Sequence, residues 1–159
     1  MMKKSTIVVL MTAVALLWAC GSSEKKGLAY RGLSMAMPFH AFCDSLAARG
    51  FAIDSAKSNL EAGTVVMASP AERYRISMAL RGDTVVALQE NYLLTTNDST
   101  RQQWQAIRDQ LEKELGAWPN MPKHGDDHKI AKFEADGGFI TVTLENTYKP
   151  ILSVLYQAK

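Results

Sequence analysis

Residues Tyr74-Arg-Ile-Ser-Met-Ala-Leu80, Arg81-Gly82-Asp83 and Thr84-Val-Val-Ala-Leu-Gln-Glu-Asn-Tyr-Leu93 form two apolar runs around a turn. Tyr74, Ile76, Met78 and Leu80 alternate with Arg75, Ser77 and Ala79, so one side of the first run is apolar and the other small or polar. That period of two is the pattern of a half-buried strand. Gly82-Asp83 supplies the residue types that a tight hairpin turn requires, and the β-branched return over residues 84–93 completes the pair. The Arg-Gly-Asp tripeptide is therefore read as turn chemistry rather than as an adhesion motif.

Working outward, residues 64–69 read as a further strand, and Phe51 and Ile53 begin a short one. Before them, Pro38 sits where a first helical turn tolerates it. Phe39, Phe42, Cys43 and Leu46 follow at i, i+3, i+4 and i+7, with Gly50 as the stop and Phe51 placed to fold back on the last turn. Downstream, residues 94–98 are a polar connection, and Ser99 with Gln102 makes a capping-box start. Trp104, Ile107, Leu111 and Leu115 form the apolar stripe of this second helix, Arg108–Glu112 and Asp109–Lys113 are ion pairs on its wet side, and Gly116 with Pro119 ends it. Residues 121–128 read as a charged loop. Residues 129–135, 139–145 and 151–156 read as strands separated by Asp136-Gly137-Gly138 and Asn146-Thr147-Tyr148-Lys149-Pro150.

The expected fold is α+β: two amphipathic helices packed on one face of an antiparallel sheet of six or seven strands, with helix-plus-strands arranged twice, in a single domain over residues 34–159. In element order and size, residues 38–156 look like the β-lactamase-inhibitor-protein-like architecture shared with small outer-membrane assembly lipoproteins. No motif carries that likeness. It implies a helix-backed sheet that grips other proteins and assigns no binding residue.

At the N-terminus, Lys3 and Lys4 precede an apolar run over residues 7–19 and then Leu17-Trp18-Ala19-Cys20, the layout of a secretion signal. The run stops at Ala19 and meets Gly21-Ser22-Ser23, short for a membrane span. Leu17-Trp18-Ala19-Cys20 resembles the lipobox of bacterial lipoproteins: a Leu, an apolar or small residue, Gly, Ala or Ser, and the cysteine that becomes diacylated. Trp18 departs from it at the most permissive position. The resemblance covers residues 1–23 and implies a signal peptide over residues 1–19 and lipidation of Cys20. The membrane partner is then the lipid on Cys20, in the cell envelope at the outer membrane facing the periplasm. Residues 20–33 begin Cys-Gly-Ser-Ser-Glu-Lys-Lys-Gly, too polar to bury, and read as a flexible lipid-proximal stalk.

The formal charge of +2 comes from 18 basic against 16 acidic residues, and both lysines of the signal belong to that excess. The remaining chain is neutral, which argues against a nucleic-acid partner. With Cys20 lipidated, Cys43 has no cysteine left to pair with, so the fold stands on packing.

Candidate chemistry is sparse. His124, Asp126, Asp127 and His128 offer nitrogen and oxygen ligands within five residues, against the plain reading of a solvated turn around Gly125. His40 and Cys43, three apart on a helix, could pair as base and nucleophile, against a cysteine packed as a small hydrophobe. Trp118 beside Pro119 could stack on a sugar ring or lid the core. Alternation sends Arg75, Ser77, Thr141 and Thr143 to the sheet face away from the helices, a surface suited to a protein partner. The expected function is a non-enzymatic protein-binding or structural module of the envelope, with another envelope protein as partner and no cofactor. The alternatives are a small metal-dependent or hydrolytic enzyme using the 124–128 loop and a glycan or small-ligand binding domain.

Overall fold

The computed structural model describes residues 27–159, so the expected signal peptide over residues 1–19 and the expected lipidation of Cys20 lie outside the described residues. In chain order the elements are β1 (Ala29–Tyr30), β2 (Leu33–Ser34), α1 (Phe39–Ala47), β3 (Ala52–Ile53), β4 (Thr64–Ala68), β5 (Tyr74–Arg81) and β6 (Thr84–Tyr92). There follow α2 (Asn97–Leu115), β7 (Asn120–His124), β8 (His128–Ala135), β9 (Gly138–Glu145) and β10 (Ile151–Ala158). The strands β3 to β10 form one antiparallel sheet in the order β3-β4-β5-β6-β10-β9-β8-β7, and β1 pairs only with β2. Two meanders, β3 to β6 and β7 to β10, thus meet where β6 lies against β10.

The expected six or seven strands under paired helix-plus-strands units is corrected to eight strands in one sheet and a separate two-stranded hairpin, with 44 % strand against 21 % helix among the described residues. One missing strand is β7, whose charge makes it read as a loop and which also contains Pro122. An edge strand tolerates a proline that a central strand would not, and β7 is the sheet's outer strand with an irregular register between Asn120 and Lys123. The two helices are also unequal. α1 has 9 residues and abuts β2, whereas α2 has 19 and lies across β8, β9 and β10.

The Tyr74–Tyr92 hairpin forms as read: Arg81 pairs with Thr84 around Gly82, whose φ is 60°. A bulge after Ala79 keeps Val85 and Leu88 on the same side as Met78. On that side Val65, Met67, Ile76, Met78, Leu88, Val142, Leu144 and Val154 are buried under both helices in a single core. Trp104, Ile107 and Leu111 supply the stripe of α2, each contributing about 1.5–3 kcal/mol by burial. Helix α2 starts before the expected Ser99, because Thr96 is the cap: its side chain accepts the Ser99 N–H at 3.1 Å. Gly116, with φ 62°, ends it and sends its N–H to the Glu112 carbonyl. Helix α1 closes earlier than Gly50, and the buried Phe51 returns its N–H to Leu46 as the sequence suggested.

The stalk is shortened from its C-terminal end. Leu28 and Tyr30 are 3 % and 1 % exposed, and the Met35 N–H bonds the Leu28 carbonyl. Residues 28–33 therefore belong to the domain; residues 20–26 lie outside the described residues. No helix among the described residues is long and apolar enough to cross a membrane.

Candidate functional site

Strand β6 places Leu88, Glu90 and Tyr92 on the core side, so a carboxylate stands where alternation calls for an apolar residue. Glu90 is 1 % exposed. An isolated charge there would be costly, so its partners decide whether the fold tolerates it. Its Oε1 accepts the Tyr30 hydroxyl at 2.7 Å and Arg31 Nε at 2.8 Å, with Arg31 Nη2 also at 2.8 Å. Its Oε2 accepts the Tyr92 hydroxyl at 2.9 Å.

Tyr30 and Arg31 come from the β1–β2 hairpin, whose turn is Arg31-Gly32 with φ 46° and 82°. Arg31 is the one non-glycine residue at positive φ among the described residues, a conformation that costs about 1–2 kcal/mol for an L-residue. The Glu90 pair and two aromatic faces hold it there: the guanidinium lies 5.7 Å from the Tyr30 ring centre and 5.3 Å from that of Tyr74. Tyr30 also meets Tyr156 edge-on at 5.1 Å, and Tyr74 packs on Tyr92 at 5.2 Å.

This cluster floors a groove of about 1470 Å³. Helix α2 forms one wall with Gln102, Gln103, Ala106 and Gln110; residues 27–32 and 71–73 form the other. Burial first, and the Glu90 charge second, push the Tyr30, Tyr92 and Tyr156 hydroxyls far above the ordinary phenol range. Burial works against the Arg31 charge, but Glu90 outweighs it and holds the guanidinium charged more firmly than usual. The arrangement donates and accepts hydrogen bonds in a fixed geometry; with both oxygens of Glu90 engaged, it offers no free base.

The residues expected to carry function fall elsewhere. Arg75, Ser77, Thr141 and Thr143 lie half-buried on the sheet face opposite the helices, where Asn91 donates to Ser77 and Gln89 donates to Asn91. His124, Asp126, Asp127 and His128 form the β7–β8 turn, closed by the Gly125 N–H on the His128 carbonyl. Asp127 is engaged by Arg101 and by the Asn146 amide, and His128 Nδ1 faces Glu145 at 3.4 Å. No three His, Cys, Asp or Glu side chains converge as a metal would need among the described residues.

His40 is exposed, and burial followed by the neighbouring Asp44 pushes the Cys43 thiol up, opposite to what a nucleophile requires. Trp104 is in the core, whereas Trp118 is 85 % exposed and lids nothing.

The sequence reading singled out neither Glu90 nor Arg31. Glu90 carried a legible signal, an acid at core parity beside Leu88 and Tyr92. Arg31 carried none, since it stood in a stretch read as stalk. Comparison of the chain with known protein families, with curated proteins and with solved structures finds nothing that matches.

Proposed function

We propose that this chain is a lipid-anchored, non-enzymatic binding module of the cell envelope that holds a segment of another envelope protein in the groove over Glu90. The observation that carries the proposal is the commitment of Glu90: a deeply buried carboxylate with every oxygen engaged maintains a shape and does not shuttle protons. The groove exceeds the 300–1,000 Å³ usual for small-ligand sites, as an extended partner segment requires. The lipobox-like residues Leu17 to Cys20 support the anchor.

A photo-crosslinking side chain at position 106, on the groove wall, is the test. In envelope preparations it should trap a partner protein, and mass spectrometry of the trapped chain should find diacylglycerol on Cys20. Absence of any crosslinked partner overturns the binding role, and an unmodified Cys20 overturns the anchor. A second surface is favoured by the sheet itself: no element among the described residues covers the face carrying Arg75, Ser77, Thr141 and Thr143. A crosslinker at position 143 distinguishes the two.

A further inference from the structure

We infer that Trp118 and Leu60 enter the interfacial layer of the membrane that holds the lipid of Cys20, so that the domain stands end-on upon zwitterionic headgroups instead of hanging from its tether; this rests on the anchor proposed above. The two side chains are large, apolar and 85 % and 65 % exposed. The sheet registers put them at one end of the molecule. Asn120 pairs with Lys132, three positions before the Ala135–Gly138 pair that closes the β8–β9 turn, and β7 is antiparallel to β8, so Trp118 lies beyond Asn120 on the side of that turn. Leu60 belongs to the β3–β4 loop: its carbonyl accepts the Gly63 N–H at 3.0 Å, and the Gly63 carbonyl accepts the N–H of Leu80, beside the β5–β6 turn. That turn stands at the same end, because Ala87, early in β6, pairs with Gln157, late in β10, which pairs in turn with Phe139.

The tether arrives at this end too. A Cβ on Gly137, in the β8–β9 turn, would stand 2.9 Å from Gly27 Cα, so Gly27 packs against that turn. Seven residues lead from Cys20 to Gly27 and span at most about 25 Å along any path. The opposite end carries apolar groups of its own, Tyr148 at 97 % exposure and Leu93. Bringing them to the lipid would raise Gly27 by the length of β9, whose 8 residues measure about 27 Å, more than the tether reaches. The Trp118 end is therefore the one that the anchor delivers to the surface. Tryptophan suits that layer, with an apolar ring body and an indole N–H that stays wet. Charge selects the headgroup. Among the described residues this end carries Arg81, Lys113 and Lys159 against Glu61, Asp83, Glu114, Glu134 and Asp136, so it gains nothing from an anionic surface and approaches a zwitterionic one without repulsion. The groove then runs away from the bilayer, from Gly27 and Asp136 near the surface to Arg73 and Ser99 above it.

Cleavage before Cys20 removes Trp18 and leaves the mature chain with Trp118 and with Trp104, which is 1 % exposed. The test reconstitutes the lipidated chain into phosphatidylcholine vesicles with and without lipid brominated on its acyl chains, a quencher that acts only at contact. The bromines should remove the emission of Trp118, read as the difference between the parent and Trp118→Ala, and spare that of Trp104. In the Trp118→Ala background, Leu60→Trp should restore quenching and Tyr148→Trp should not. Concentrated salt should change none of this. Trp118 emission that the bromines leave untouched, in a chain that floats with the vesicles, overturns the contact and leaves the anchor standing. Position 148 quenched as much as position 60 does the same. Quenching that appears only when phosphatidylglycerol is added overturns the inference on its charge argument. A chain that neither floats nor carries diacylglycerol by mass overturns both the contact and the anchor.

Discussion

Arg31 and Glu90 are 59 residues apart in the chain and 2.8 Å apart in space, one half in solvent and the other sealed beneath it. The bond joins a two-strand hairpin to the centre of an eight-strand sheet, since β6 is one of its two middle strands. It thereby fixes one wall of the groove relative to the floor.

The asymmetry of exposure makes the two halves of this pair unequal. Arg31→Gln strands a carboxylate out of water and should cost about 3–5 kcal/mol. Glu90→Gln leaves a guanidinium that can turn to solvent, and the new amide still bonds Tyr30 and Tyr92, so its cost should be about 1–2 kcal/mol. Urea denaturation of both variants measures the order. A larger loss for Glu90→Gln would mean that the carboxylate is not the sealed partner.

The tyrosines around Glu90 predict a alkaline limit to stability. Tyr30, Tyr92 and Tyr156 hold their protons more tightly in the fold, through burial and then the Glu90 charge. The unfolded chain releases them near the ordinary value of about 10, so the stability they contribute is complete below that pH and falls as pH rises past it. Phenolate absorbance of these residues should therefore appear together with loss of the circular dichroism of the fold. Phenolate signal from all three in a folded chain would contradict the buried cluster.

What could be read from the sequence was what repeats locally. The Tyr74–Tyr92 hairpin, the Trp104-Ile107-Leu111 stripe and the C-terminal meander all carry their own period, and each is where the alternation puts it. The strand Asn120–His124 was hidden because an edge strand needs little apolar surface and admits Pro122. The site was hidden because its halves are separated by loop closure: Tyr30 and Arg31 look like stalk until Glu90 is brought beneath them. Only the misplaced acid at position 90 announced that something basic had to come.

The same N-terminal segment can be dislodged from the far side. At Gly137, with φ 75°, an added Cβ would stand 2.6 Å from the Leu28 nitrogen. Gly82 has a similar φ of 60° but open space around it. Gly137→Ala therefore combines backbone strain with a backbone clash and should cost about 2–4 kcal/mol, against about 1 kcal/mol for Gly82→Ala. Chemical denaturation gives both values. Equal costs would show that residues 27–28 are not seated against the β8–β9 turn.

The last prediction separates the two surfaces. Thr141 lies between Lys132 and Leu155 across the strands, and Thr143 between Ile130 and Ser153. Aspartate is a poorer strand former, by up to about 1 kcal/mol, but at position 141 it gains an opposite charge directly across from Lys132, about 0.2–1 kcal/mol in the other direction. Thr141→Asp with Thr143→Asp should thus melt close to the parent while placing two negative charges on the open face. Neither residue touches the groove, which lies on the other side of the sheet. A partner segment held over Glu90 should still crosslink at position 106 in this double variant, and any contact made on the open face should disappear from a crosslinking side chain at position 153, directly across from position 143. Loss of the position-106 product in a variant that remains folded would move the binding surface to the sheet face of Arg75, Ser77, Thr141 and Thr143.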